Sequence, residues 1–310
     1  MLKDRILSTL TFFDLQDWPL TLFELHQYLL ADKSLLMAVL GDNWEISENI
    51  KLQRSPAVEM GEVLSCLESG CAGEVENFDG FYCLSGRERI VRQRVSNHLF
   101  GIKREKLISR FIPGLRHIPF LRGAGLTGSQ ALGQQQQTSD IDLLIITDER
   151  FMWLCRTLVT AYFQVLGLRR HGKKIANRFC LNHYLAGTKE LKDFRNAYTA
   201  MEYIKLRPLV YKHTISEFQT KNAGWMRQVF PNWEPFLESP EEQSLGQKIL
   251  EKILNNNFGL FLERWLKRMQ MPRIKKQEFI LVREDELSFH PNSRQQYLLG
   301  SFFRSSVENK

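Results

Sequence analysis

At 310 residues, the chain is about two domains' worth at roughly 150 residues each, enough to bury a sizeable core. Apolar residues make up 43% and charged residues 25%, which argues against wholesale disorder and against a membrane bundle. No apolar run reaches the roughly 18–20 residues of a bilayer span, the N-terminus lacks a signal-peptide layout, and Cys66, Cys71, Cys83, Cys155 and Cys180 form no CxxC pair. A soluble cytoplasmic protein with reduced thiols and no membrane partner is expected.

The net charge of +7 is unevenly spread: residues 1–100 carry −6, residues 101–210 carry +10 and residues 211–310 carry +3. The middle third would attract a polyanion such as a triphosphate or a nucleic acid backbone. Within Arg87 to Arg122, ten basic residues face only Glu88 and Glu105, a density that also suits the solvated face of a long helix.

In chain order, Ile6, Leu7, Leu10 and Phe13 recur at helical spacing until Trp18-Pro19 breaks the pattern. Thr21 with Glu24 three residues on is a capping box opening a second helix. Ser55-Pro56 introduces a third helix at Val58 to Leu67, and Asp79-Gly80 sits between β-prone runs in Glu76 to Leu84, a hairpin signal. Helices followed by a hairpin describe a winged-helix-like module over residues 1–100. Its would-be recognition helix, Ala57 to Ser69, carries Glu59, Glu62 and Glu68 and no cation, so DNA binding by this module is not expected.

Gly86 to Phe111 reads as a long basic helix. Phe120 to Thr127 reads as a strand, followed by a turn through Gly133, four glutamines (Gln134 to Gln137) and a buried strand at Ser139 to Ile146. A helix over 151–166 and a strand at Asn177 to Leu185 follow. Helices are expected at Phe194 to Leu206, at Thr214 to Val229 and at Pro240 to Met269, where Ile249, Ile253, Leu262, Trp265, Leu266 and Met269 form one apolar face. Glu278 to Val282 suits a short strand and Pro291 to Val307 a closing helix. The class is α+β: the N-terminal module, a central mixed-sheet core over 101–190 and a helical C-terminal lobe over 191–310.

The chemistry concentrates in Gly128-Ser129, ten intervening residues, and Asp140-Ile141-Asp142. On a strand, Asp140 and Asp142 share a face while Ile141 enters the core. Two adjacent carboxylates repel, and a divalent cation relieves that repulsion; an all-oxygen pair suits Mg²⁺. Gly128 lets backbone approach a bulky anion, and Ser129 can donate to phosphate oxygens.

The run Leu-Thr-Gly-Ser, eight residues, then Thr-Ser-Asp-Ile-Asp-Leu-Leu resembles the signature of the DNA polymerase β-like nucleotidyltransferase superfamily over about residues 118–186. The resemblance implies a central nucleotidyltransferase core in which Gly128, Ser129 and Ser139 bind an NTP, with ATP the expected one. It also implies metal binding by Asp140 and Asp142, and transfer of NMP to an acceptor hydroxyl, with RNA among the acceptors and pyrophosphate released. Many members add a third carboxylate from a later strand, and here that position reads as Asn182, a weaker base and ligand. Glu190, Asp193, Glu202 and His183 are the alternatives nearby. The competing expectation is a catalytically impaired nucleotide- or RNA-binding regulator on the same fold.

Overall fold

A computed structural model describes residues 1–32, 36, 46, 55–133, 135–276, 280–289 and 292–304. Gln134, the start of the strand expected from Glu278 and the end of the helix expected to Val307 lie outside the described residues. The first elements are α1 (Leu2–Asp14), β1 (Leu20–Thr21), α2 (Leu22–Gln27), α3 (Met60–Gly70), β2 (Val75–Phe78) and β3 (Phe81–Leu84). Thr21 and Glu24 form the capping box: the Glu24 amide donates to Thr21 Oγ1 at 3.2 Å and the Thr21 amide donates back to Glu24 at 3.0 Å. Asp79 (φ 51°) and Gly80 (φ 82°) make the two-residue turn between β2 and β3, where both central residues must be left-handed. The three strands pair in the order β1-β3-β2.

The long helix α4 (Glu88–Phe111) and a 3₁₀ turn (Ile112–His117) lead into β4 (Leu121–Thr127), α5 (Gly128–Leu132), β5 (Ile141–Thr147), α6 (Met152–Val165) and β6 (Phe179–Ala186). Then come α7 (Ala197–Ile204), β7 (Arg207–Val210), α8 (Lys212–Val229), α9 (Leu245–Leu254), α10 (Asn257–Ile274), β8 (Leu281–Val282), β9 (Glu286–Ser288) and α11 (Asn292–Arg304). The chain is thus mixed α/β around a six-stranded mixed sheet of order β7-β4-β5-β6-β9-β8, in which β5 and β6 are parallel and the other pairs antiparallel. Among the described residues no helix is long and apolar enough to cross a membrane.

Alternation along β5 divides the core. Ile141, Leu143 and Ile145 pack under α6, the 3₁₀ turn and residues of α10, whereas Leu144 and Ile146 face α7, α8, α11 and the apolar residues of α1 to α3. Gly125 in β4 sits where a Cβ would stand 2.7 Å from Leu206 and 3.4 Å from Ile215, so its missing side chain lets α8 settle on the sheet.

Three features depart from the sequence reading. Strands β7 and β9 come from the region read as a helical lobe; they span four and three residues and carry Arg207, Pro208 and Glu286, too short and polar for an alternating signal, whereas β8 falls within the short strand expected at Glu278 to Val282. The helix expected from Pro240 to Met269 is two helices, broken at Asn255-Asn256, where Asn256 caps α10 by accepting from the Phe258 and Gly259 amides at 3.0 and 3.1 Å. Of its expected apolar face, Leu262 and Leu266 pack on the core, but Ile249, Ile253, Trp265 and Met269 are exposed. The cause is acidic. Glu251 turns inward to accept from the Phe120 amide at 2.6 Å and from Arg122 at 2.7 Å, and Glu263 accepts from the Trp153 and Leu154 amides at 2.9 and 2.7 Å. Those amides are orphan donors at the start of α6, whose satisfaction outweighs the burial of one apolar stripe.

Part of the basic run Arg87 to Arg122 is internal wiring, while Arg89, Arg92, Lys103, Lys106 and Arg110 are exposed. Arg87 pairs with Asp14 and Asp17, Arg94 with Glu24, Arg116 with Glu241 and Arg122 with Asp148 and Glu251.

Candidate functional site

The site forms where β4 ends and β5 begins. Thr127, the last residue of β4, lies opposite Asp142, and the chain turns there into α5 at Gly128, whose φ is 65°. A Cβ on Gly128 would overlap the Asp142 carboxylate, so glycine is required both by the left-handed backbone and by the closeness of the acid. Asp140, immediately before β5, and Asp142 within it share a face, as alternation dictates.

The loop between α5 and β5 is held from behind by Arg104 of α4. Its fully buried guanidinium donates to the carbonyls of Gln136 (2.5 Å), Ser139 (3.2 Å) and Gln137 (3.3 Å). Ser139 closes the turn by accepting from the Gln136 amide at 3.0 Å. At the other end of α5, Gly133 abuts the Trp18 ring with no room for a Cβ, tying the loop to the N-terminal elements.

Beside the acids, the parallel register pairs Asp142 with Cys180 and then Leu144 with His183. One extra residue on β6 makes a bulge at Leu181-Asn182, a device that re-aims side chains. Through it Cys180 and Asn182 both reach Asp142: Asn182 Nδ2 donates to Asp142 at 2.8 Å, and oxygens of Asp140 and Asp142 and the Cys180 sulfur lie within 4.8 Å of one another. Among the described residues, Asn182 Oδ1 is buried without a hydrogen-bond partner. Arg170 Nη1 donates to Asp140 Oδ2 at 2.6 Å.

Burial, then the charge of Asp140, pushes the Asp142 carboxyl up to about 7. Burial, then the charges of Asp142 and Asp140, raises the Cys180 thiol far above its ordinary range, so at neutral pH it is a protonated, weak ligand. The hard donors are the two carboxylates and the free amide oxygen of Asn182, a set suited to a cation that prefers oxygen.

Gly128, Ser129, Ser139, Asp140, Asp142 and Asn182 all line one cavity of about 870 Å³. Its far walls come from distant parts of the chain: Trp18 and Arg94, the aromatic pair Phe194 and Tyr198, and a basic side of Arg156, Arg169 and Arg170. Of the alternative third acids, Asp193 and Glu202 line this cavity, Asp193 being paired with Arg283. Glu190 pairs with Arg195 at 2.9 Å, and His183 lies 3.1 Å from Glu286 and 3.2 Å from the Tyr203 hydroxyl. Among the described residues, the cluster within 4.8 Å of the two aspartates is completed by Cys180 and not by a carboxylate.

Sequence reasoning missed Cys180 and Arg170. Strict alternation does place Cys180 on the face of Asn182, but nothing in the sequence sets its register against Asp142. Comparison with protein-family models, with curated proteins and with solved structures finds no match.

Proposed function

We propose that the chain is a magnesium-dependent nucleotidyltransferase: an acceptor hydroxyl attacks the α-phosphorus of an NTP, the bond to the bridging oxygen of the β-phosphate breaks, and pyrophosphate leaves. The observation that carries this reading is the convergence of a left-handed Gly128, Ser129 and two same-face aspartates on one 870 Å³ cavity, large enough for a nucleotide and part of an acceptor. The six-stranded mixed sheet supports it as a nucleotidyltransferase core. The order α1-β1-α2-α3-β2-β3 with its three-stranded sheet supports a winged-helix-like module ahead of that core, and the later helices line the acceptor side.

In this reading Asp140 and Asp142 hold Mg²⁺, with Asn182 Oδ1 available beside them. The metal, when bound, stabilises negative charge on the phosphoryl oxygens. The chain's own residues do the rest. Gly128 admits the phosphates close to backbone, and Ser129 donates to them. Arg169 and Arg170 supply positive charge along the same wall. Arg104 holds the loop so that the two halves of the site keep their spacing.

A second reading, a nucleotide- or RNA-binding regulator, is favoured by the Arg170–Asp140 ion pair and by the thiol in place of a third acid. Calorimetry with a non-hydrolysable ATP analogue tests the first reading: binding requires Mg²⁺ and is lost in Asp142→Asn, and binding indifferent to both contradicts it. Nucleotide binding without pyrophosphate release favours the second reading, and measured release removes it.

A further inference from the structure

The outer side of α9 and α10 is apolar and, among the described residues, has no partner in the fold. Leu245, Ile249 and Ile253 follow one another at helical spacing with exposures of 77%, 60% and 59%, and Phe261, Trp265 and Met269 do the same at 63%, 47% and 50%. Together with Leu250 and Phe258 they expose on the order of 1,000 Å² of apolar side chain, where a single apolar patch on a monomer ordinarily spans a few hundred Å². The two helices are locked together at Asn255-Asn256, where Gly259 packs on the Leu254 carbonyl with no room for a Cβ.

Within the two helices, the charges left on the exposed side are cations. The acids of the two helices, Glu251 and Glu263, are spent inward on Arg122 and on backbone amides. Lys248, Lys252, Arg264, Arg268 and Arg273 remain on the exposed side, with Glu242 3.7 Å from Lys248 and Glu284 2.9 Å from the inner Lys267. On α10 the helical repeat sets Arg264 and Arg268 along one margin of the Phe261–Trp265–Met269 row.

We infer that this two-helix face docks on an anionic lipid surface, its aromatic and aliphatic side chains entering the headgroup boundary and its cations meeting lipid phosphates. A second copy of the chain would oppose like charges across a two-fold axis. A nucleic acid would match the cations but leave Leu245, Ile249 and Ile253 without apolar partners. Such docking needs no spanning segment, so the absence of one does not bear on it.

The test is co-sedimentation of the full chain with phosphatidylcholine vesicles, with or without phosphatidylglycerol. Capture is expected on the anionic vesicles, weaker on phosphatidylcholine alone and weaker in high salt. The pair Ile249→Glu and Trp265→Glu, and separately the pair Arg264→Glu and Arg268→Glu, each lower the apparent affinity by roughly tenfold or more. Both pairs alter exposed positions, and an unchanged melting curve verifies that they fold. Three results overturn the inference: no capture on anionic vesicles, capture insensitive to both pairs, or a lipid-free dimer or a single-stranded RNA complex abolished by the same substitutions while vesicles remain unbound.

Discussion

Asp142 is the side chain on which the site turns, and its neighbours define what it can do. Asn182 donates to one of its oxygens, Gly128 leaves space for the carboxylate, and burial with Asp140 nearby raises its pKa to about 7. Gly128 is therefore the sharpest point for substitution. Gly128→Ala would place an L side chain at φ 65° against the acid, at a cost of roughly 1–3 kcal/mol, and should abolish Mg²⁺-dependent nucleotide binding; urea unfolding and calorimetry check the two effects, and a variant equal to the parent in both contradicts this account of the site. The Gly-Ser and Asp-x-Asp pattern was fully legible in the sequence, because a turn glycine and two same-face acids are local properties. Cys180 and Arg170 were not, because their positions depend on register and on a segment packed along β6.

The decisive element is β6. Without its bulge, strict alternation would put Tyr184 on the face of Asp142 and bury His183 beside Leu181; the extra residue exchanges them, so His183 meets Glu286 and Tyr203 while Tyr184 enters the core under α6. His183 and Lys189 then fasten β9 to the edge of β6 through Glu286. Burial alone would raise the Glu286 carboxyl, but the His183 hydrogen bond and the charges of His183 and Lys189 outweigh it and hold the group down to about 2, from an ordinary 4.5. A depressed acid stabilises the fold above its unfolded pKa and loses that contribution as pH falls through the folded one. About 3 kcal/mol should therefore be present above pH 4.5 and vanish towards pH 2. Glu286→Gln should cost about that much at neutral pH and flatten this part of the acid limb, which urea unfolding across the window measures; parallel pH profiles for variant and parent would contradict it. The same logic explains α9 and α10, whose periodicity marked an apolar face but could not show that Glu251 and Glu263 would claim the inward side.

At the scale of the whole molecule, the cavity is built by parts of the chain far apart in sequence. The N-terminal elements do not stand aside: Trp18 packs on Gly133, Arg94 stacks 3.9 Å over the Trp18 ring, and both residues line the cavity that holds the aspartates. Lys205, at the end of α7, reaches into the same joint among Phe13, Trp18 and Tyr28. Composition and periodicity indicated the helices, the hairpin and the central strands, whereas the packing of the first 100 residues against the core rests on Trp18, Lys205 and a shared apolar cluster, long-range contacts that no local pattern encodes. Release of pyrophosphate by the purified full chain, supplied with Mg²⁺, each of the four NTPs in turn and a pool of RNA and protein acceptors, tests the proposed activity most directly. The account predicts release with at least one NTP and none from Asp140→Asn or Asp142→Asn, both still folded; no release with any NTP, or equal release from those variants, would contradict it.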